Sequence, residues 1–157
     1  MTEEDVIRFI SGLPGVEAVT ASEANAAPEV SWGDTFFFYD PDGDIRTDRR
    51  FPFATILTKD YPGFDTASGL DRPGVFRVNI AVGRRTYHDL FGHPPAEHTD
   101  HHADYDYSAL DQPIPHPVYA RQAWISVLNP SEATTTQLRS LLIQAHARAA
   151  ARHRRPH

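Results

Sequence analysis

The sequence predicts an α+β fold, with a central antiparallel sheet of about five strands flanked by an N-terminal helix and a longer C-terminal helix. Three observations predict it. Two apolar runs, residues 53–59 and 75–82, flank a connection punctuated by Gly, Asp and Pro, and each reads as a strand. An aromatic run, Thr35–Tyr39, precedes a strong turn signal at Asp40, Pro41, Asp42 and Gly43, so a hairpin into the first of those runs is the simplest continuation. Near the end, Thr134 and Gln137 make a capping box ahead of a stripe formed by Leu138, Leu141, Leu142 and Ala145.

Taken in order, Thr2 with Asp5 three residues on is a capping-box variant, and Glu3 and Glu4 suit the first turn. Val6, Ile7, Phe9, Ile10 and Leu13 give that helix an apolar stripe, and Gly12, Pro14 and Gly15 end it. Val16–Thr20 reads as a short strand and residues 21–28 as an Ala-rich loop. In Thr35–Tyr39, Phe36 and Phe38 share one side of the pleat and Phe37 and Tyr39 the other. The hairpin passes through a polar segment with Asp44, Arg46, Asp48, Arg49 and Arg50.

Residues 75–82 carry the cleanest alternation. Phe76, Val78, Ile80 and Val82 fall on one face, and Val75, Arg77, Asn79 and Ala81 on the other, leaving one face apolar and one mixed. Tyr87, Leu90 and Phe91 trace a small helix closed by Gly92 and blocked by Pro94 and Pro95. Residues 93–117 have no sustained period and read as a long polar loop; loops above roughly 15 residues in compact domains are often functional or disordered. A last strand spans residues 123–128 before Asn129 and Pro130, and residues 150–157 form a basic tail.

The length of 157 residues, with 40% hydrophobic and 23% charged, is that of one domain, residues 1–157. No stretch approaches the roughly 18 apolar residues of a membrane span, and the acidic N-terminus is unlike a secretory signal, so a cytoplasmic protein with no membrane role is expected. Zero Cys excludes disulfides, thiolate nucleophiles and iron–sulfur clusters, leaving His and carboxylates for any metal. A net charge of -6 argues against general nucleic-acid binding, despite Arg148, Arg152, Arg154 and Arg155 in the tail.

Six of the nine histidines lie between His88 and His116, and His98, His101 and His102 stand beside Asp100, Asp104 and Asp106. They lack a recognised metal-ligand spacing, so no metal site and no cofactor is assigned. His116, held extended between Pro115 and Pro117 and followed by Tyr119 and Trp124, suits a general base, a ligand anchor or a plain structural role. Trp32, Asp34, Lys59, Arg77, Asn79, His116, Tyr119 and Trp124 are the candidate ligand-binding set, lining the mixed face if it is concave; a structural Arg77–Asp34 ion pair is the plainer alternative. Gly63, Gly69 and Gly74 lack phosphate-loop spacing, and Ser126 has no nucleophile-elbow context.

Trp32-Gly33-Asp34, Pro52 to Thr55 and Lys59 to Asp65, Leu70 to Arg77, and His116-Pro117-Val118-Tyr119 ahead of Trp124 resemble the bacterial family called domain of unknown function 6194, over nearly the whole chain. That resemblance implies no role for any residue. A looser architectural resemblance, from the Trp-Gly-Asp lead into a strand and the order His, Trp-bearing strand, Leu- and Ala-rich helix, is to the MmcQ/YjbR-like or double-wing fold. The leading expectation is a domain that binds a small molecule or a protein partner on the mixed face and the 93–117 loop. The alternatives are an enzyme, metal-assisted or not, centred on His116 with Lys59, Arg77 and Asn79, and a DNA-associated regulator by fold analogy.

Overall fold

Alternation of large apolar side chains along short runs sets the sheet, because successive residues of a strand face opposite ways and each run must bury one side. In the computed structural model, residues 1–45 and 50–153 are described; Arg46, Asp48, Arg49, Arg154 and Arg155, named above in the hairpin segment and the tail, lie outside the described residues. The strands are β1 (Val16–Thr20), β2 (Thr35–Tyr39), β3 (Ala54–Leu57), β4 (Arg77–Ala81), β5 (Pro113–Pro115) and β6 (Trp124–Leu128). They form one six-stranded sheet in the order β1-β2-β3-β4-β6-β5, with antiparallel neighbours.

The sixth strand, β5, falls inside the stretch expected to be loop. Prolines at 113 and 115 hide it from a propensity reading, since proline is depleted in strands. Yet in an antiparallel edge strand only every second residue turns its N–H toward the partner. Ile114 and His116 occupy those positions, and His116 N–H donates to the Trp124 carbonyl at 3.1 Å. The backbone nitrogens of Pro113 and Pro115 point away from β6, where a missing donor costs no ladder bond and blunts the edge.

Four α-helices accompany the sheet: α1 (Glu3–Ser11), α2 (Arg84–Phe91), α3 (His98–His101) and α4 (Glu132–His153). At α1 the expected capping box forms, with Asp5 N–H donating to Thr2 Oγ1 at 3.1 Å and Thr2 N–H to Asp5 Oδ2 at 3.0 Å. At α4 it does not. The helix begins earlier, with Ala133 N–H donating to Ser131 Oγ at 3.1 Å, because the Thr134 hydroxyl is drawn to Asp111 of the preceding loop.

Register then separates the two faces. Val78 lies opposite Ile56 and Val127, and Ile80 opposite Ala54 and Ile125, giving an apolar layer completed by Phe37. Val6 and Ile10 of α1 and Leu138, Leu141, Leu142 and Ala145 of α4 cover it. Burial of one such side chain, Ile80 for instance, is worth about 1.5–3 kcal/mol against the unfolded chain. On the opposite face Thr55, Asn79, Ser126 and Ile114 form one cross-strand row, and Leu57, Arg77 and Leu128 the next. A smaller core of Leu57, Leu70, Tyr107, Ile114 and Leu128 roofs that side.

Candidate functional site

The polar row on the second face is built by strand register alone, which brings three short polar side chains from β3, β4 and β6 into line. Asn79 Nδ2 donates to Thr55 Oγ1 at 3.0 Å, and Ser126 Oγ donates to Asn79 Oδ1 at 2.7 Å. Arg77, fully buried, donates from Nε to the same Asn79 oxygen at 2.8 Å. Its other nitrogens reach out of the sheet to Asp65, at 3.0 and 2.5 Å, and to Ser68 Oγ at 2.9 Å. Both ends of this ion pair are buried, so it holds only because each charged group has its hydrogen bonds filled. Its effect is to clamp the segment between β3 and β4 onto the sheet.

Asp34, also fully buried, belongs to a second group at the joint of β2 and β3. Its Oδ1 accepts from Thr58 N–H at 2.8 Å and Thr58 Oγ1 at 2.9 Å, and its Oδ2 accepts from the Tyr61 hydroxyl at 2.6 Å. Burial first, and then this bond to a carboxylate, pushes the Tyr61 hydroxyl far above its ordinary pKa, keeping it a donor. Lys59 lies 3.4 Å from Asp34 and donates to the Trp32 carbonyl, and the Trp32 indole N–H donates to Ala27 O at 2.9 Å. The Arg77–Asp34 ion pair considered from sequence is therefore not formed; Arg77 takes Asp65, and Asp34 takes Lys59.

His116 anchors the third group. Pro117 starts a tight bend that returns the backbone over the ring, so the N–H groups of Val118 and Tyr119 both donate to Nδ1, at 3.0 and 2.9 Å. A ring nitrogen receiving two N–H donors carries no proton of its own, which places the hydrogen of the neutral imidazole on Nε2. Burial, and then the positive charge of Arg77, hold the pKa well below the ordinary histidine value, so the ring stays neutral near pH 7. Nε2 has no partner among the described residues. The residue as a whole is buried, at 3% exposure. Tyr119 stands 5.0 Å from the imidazole and Trp124 6.3 Å, edge-on, and Phe64 lies 6.0 Å from Tyr119. Phe64 and Tyr119 are 57% and 42% exposed, an apolar rim left open to solvent above a polar group.

Of the residues marked from sequence, the fold thus joins Arg77 to Asn79 by a direct bond, gathers His116 with Tyr119 and Trp124, and sets Trp32, Asp34 and Lys59 apart at the β2–β3 joint. Sequence reasoning missed Thr55, Phe64, Asp65, Ser68 and Ser126 as partners. Thr55 and Ser126 were findable, being polar positions in otherwise apolar strands; Asp65 and Ser68 sit in an irregular segment where no period marks a side.

His93, His98 and His102 pair with tyrosines. His98 is buried between the Tyr87 hydroxyl, 3.1 Å from Nδ1, and the Tyr107 hydroxyl, 3.1 Å from Nε2. Tyr107 donates to the His102 carbonyl at 2.8 Å and so accepts at its oxygen. Burial, then the neighbouring His102, His93 and His101, lower the His98 pKa to about 4. His93 stacks on His101 at 4.1 Å and meets the Tyr105 hydroxyl at 3.0 Å. Within the stretch expected to be a long polar loop, aromatic and imidazole contacts bury His93, His98 and His116 while much of the rest stays exposed. No group of three or more His, Asp or Glu able to hold a metal occurs among the described residues. No helix among them is long and apolar enough to cross a membrane.

Compared with known proteins, residues 1–157 match the model of a family described as a family of unknown function, DUF6194. Neither the curated proteins nor the solved structures give a match.

Proposed function

The chain belongs to the DUF6194 family over residues 1–157, and from that premise and its own side chains we propose that it binds a small molecule against the aromatic cluster of His116, Trp124, Tyr119 and Phe64. The ligand is a flat apolar molecule bearing a carbonyl or carboxylate oxygen. The observation that carries this reading is the fixed tautomer of His116. With Nδ1 filled by two backbone donors, Nε2–H is an oriented, neutral donor with no partner among the described residues, close to exposed rings. A few convergent polar groups among apolar walls is the pattern of small-molecule sites.

The same tautomer weighs against a general base. A base needs a bare ring nitrogen, and the only bare one here already accepts two hydrogen bonds. In this reading Arg77 and Asn79 support the sheet beneath His116, and Trp32, Asp34 and Lys59 hold the strand joint beside it.

Phenylacetate and benzamide are suitable probes, followed by the fluorescence of Trp124 in a Trp32→Phe background. His116→Asn keeps an oxygen where Nδ1 accepts its two donors but removes Nε2–H. His116→Gln does the reverse, keeping a distal donor and losing the backbone anchor. The expected outcome is normal melting with lost binding for His116→Asn, and lowered melting with partly retained binding for His116→Gln. Binding that is equal in wild type and His116→Asn, or no saturable response to either probe, defeats the proposal.

A further inference from the structure

At the opposite end of the sheet from Arg77, past the ends of β2 and β4 and beside the last turns of α4, lies a cavity of about 730 Å³. That is within the range of about 300–1,000 Å³ usual for ligand pockets. Arg148 and Arg152, one turn apart on α4, line it together with Arg50 and Phe51. Arg148 is packed so closely on the chain that a Cβ at Gly83 would stand 2.6 Å from its Nε, and it donates to the Ala81 carbonyl at 3.2 Å. Burial, and then the nearby Arg152 and Arg84, lower its pKa. None of these three arginines has a carboxylate partner among the described residues, whereas Arg50 pairs with Glu17 and Asp40. The carboxylates of the lining are Asp42, which faces His153 at 3.7 Å, and Asp44.

Like charges packed together without counter-ions are unfavourable in the empty protein and become favourable once an anion is shared among them. Guanidinium groups suit a phosphate in particular, since each offers a planar fork of donors. Phe51, 83% exposed on the rim, gives a flat ring somewhere to lie, and Arg50 already covers one ring of this region, at 4.3 Å over Phe38. Nothing in the folding core accounts for an aromatic side chain left so open in the lining that Arg148 and Arg152 share.

We propose that this cavity is a second binding site, taking a small molecule that carries a phosphate group on a flat ring system, with the phosphate on Arg148 and Arg152 and the ring against Phe51.

Calorimetry on the full chain tests this with adenosine 5′-monophosphate, inorganic phosphate and adenosine as probes. The monophosphate is expected to bind more tightly than either part alone, and less tightly as salt rises. Arg148→Gln/Arg152→Gln should weaken it by about tenfold or more, the scale of a lost charge-assisted hydrogen bond. Phe51→Ala, at a side chain too exposed to affect folding, should weaken the monophosphate but leave inorganic phosphate unchanged. No saturable binding of the monophosphate, binding of phosphate alone as tight as that of the monophosphate, or binding untouched by both variants overturns the proposal. The site shares no residue with the His116 cluster, so the two fail independently.

Discussion

The two faces of one strand, β4, solve burial in opposite ways. Val78 and Ile80 are covered by α1 and α4 through apolar packing that has no directional requirement. Arg77 and Asn79, two residues apart on the other face, are just as buried but depend on each other and on four further hydrogen-bonding partners, Thr55, Asp65, Ser68 and Ser126. The apolar face loses stability in proportion to what is removed. The polar face fails by orphaning a partner, because a buried group deprived of its counterpart bears its full desolvation penalty. The second kind of face holds its neighbours in fixed orientations, and beyond it the backbone N–H groups of Val118 and Tyr119 fix the His116 ring.

That contrast can be broken in several ways. Arg77→Ala should have the largest effect, about 3–5 kcal/mol in urea unfolding, because Asp65 is left charged and buried. Arg77→Met combined with Asp65→Leu should recover most of it, and if the pair is no better than the single change, the clamp is not what Arg77 supplies. Ile80→Ala should cost about 2–5 kcal/mol, with no second substitution restoring it by removing a partner, since none exists. Acid should act through the buried histidines. His98 and His116 have folded pKa values below the ordinary 6.5, so their neutral forms stabilise the fold fully above about that pH, and this contribution is lost as pH falls from 6.5 toward 4. Unfolding midpoints measured over that interval should decline, and His98→Gln should flatten the decline; an unchanged slope would show that the histidine–tyrosine cluster carries none of it. Smallest is Ser126→Ala, at about 1 kcal/mol, since Asn79 Oδ1 keeps its bond from Arg77 Nε.

Much of the fold was legible because period and punctuation survive without tertiary knowledge. The α1 capping box, the aromatic strand β2, the hairpin into β3 and the alternation of β4 all rest on neighbours in sequence. The α4 start was misplaced by a competing partner, Asp111, twenty-odd residues upstream. β5 escaped because its prolines suppress strand propensity, although they fall where an edge strand tolerates them. Of the site, residue types were legible and partnerships were not. Arg77 and Asn79 stood out as polar residues in an apolar strand, but nothing local distinguished Asp65 from Asp34 as the carboxylate that would meet the guanidinium.

The sequence by itself determined the strand faces, the helix stripes and the α+β class, since these follow from side-chain spacing along a regular backbone. It also determined that no thiol chemistry occurs, there being no Cys. Tertiary structure alone decided which carboxylate serves Arg77, that His116 carries its proton on Nε2, and that Arg148 and Arg152 border a cavity. Each of these depends on where an irregular segment returns to the sheet. Such a return is fixed by the sum of distant contacts, and no periodicity in the chain records it.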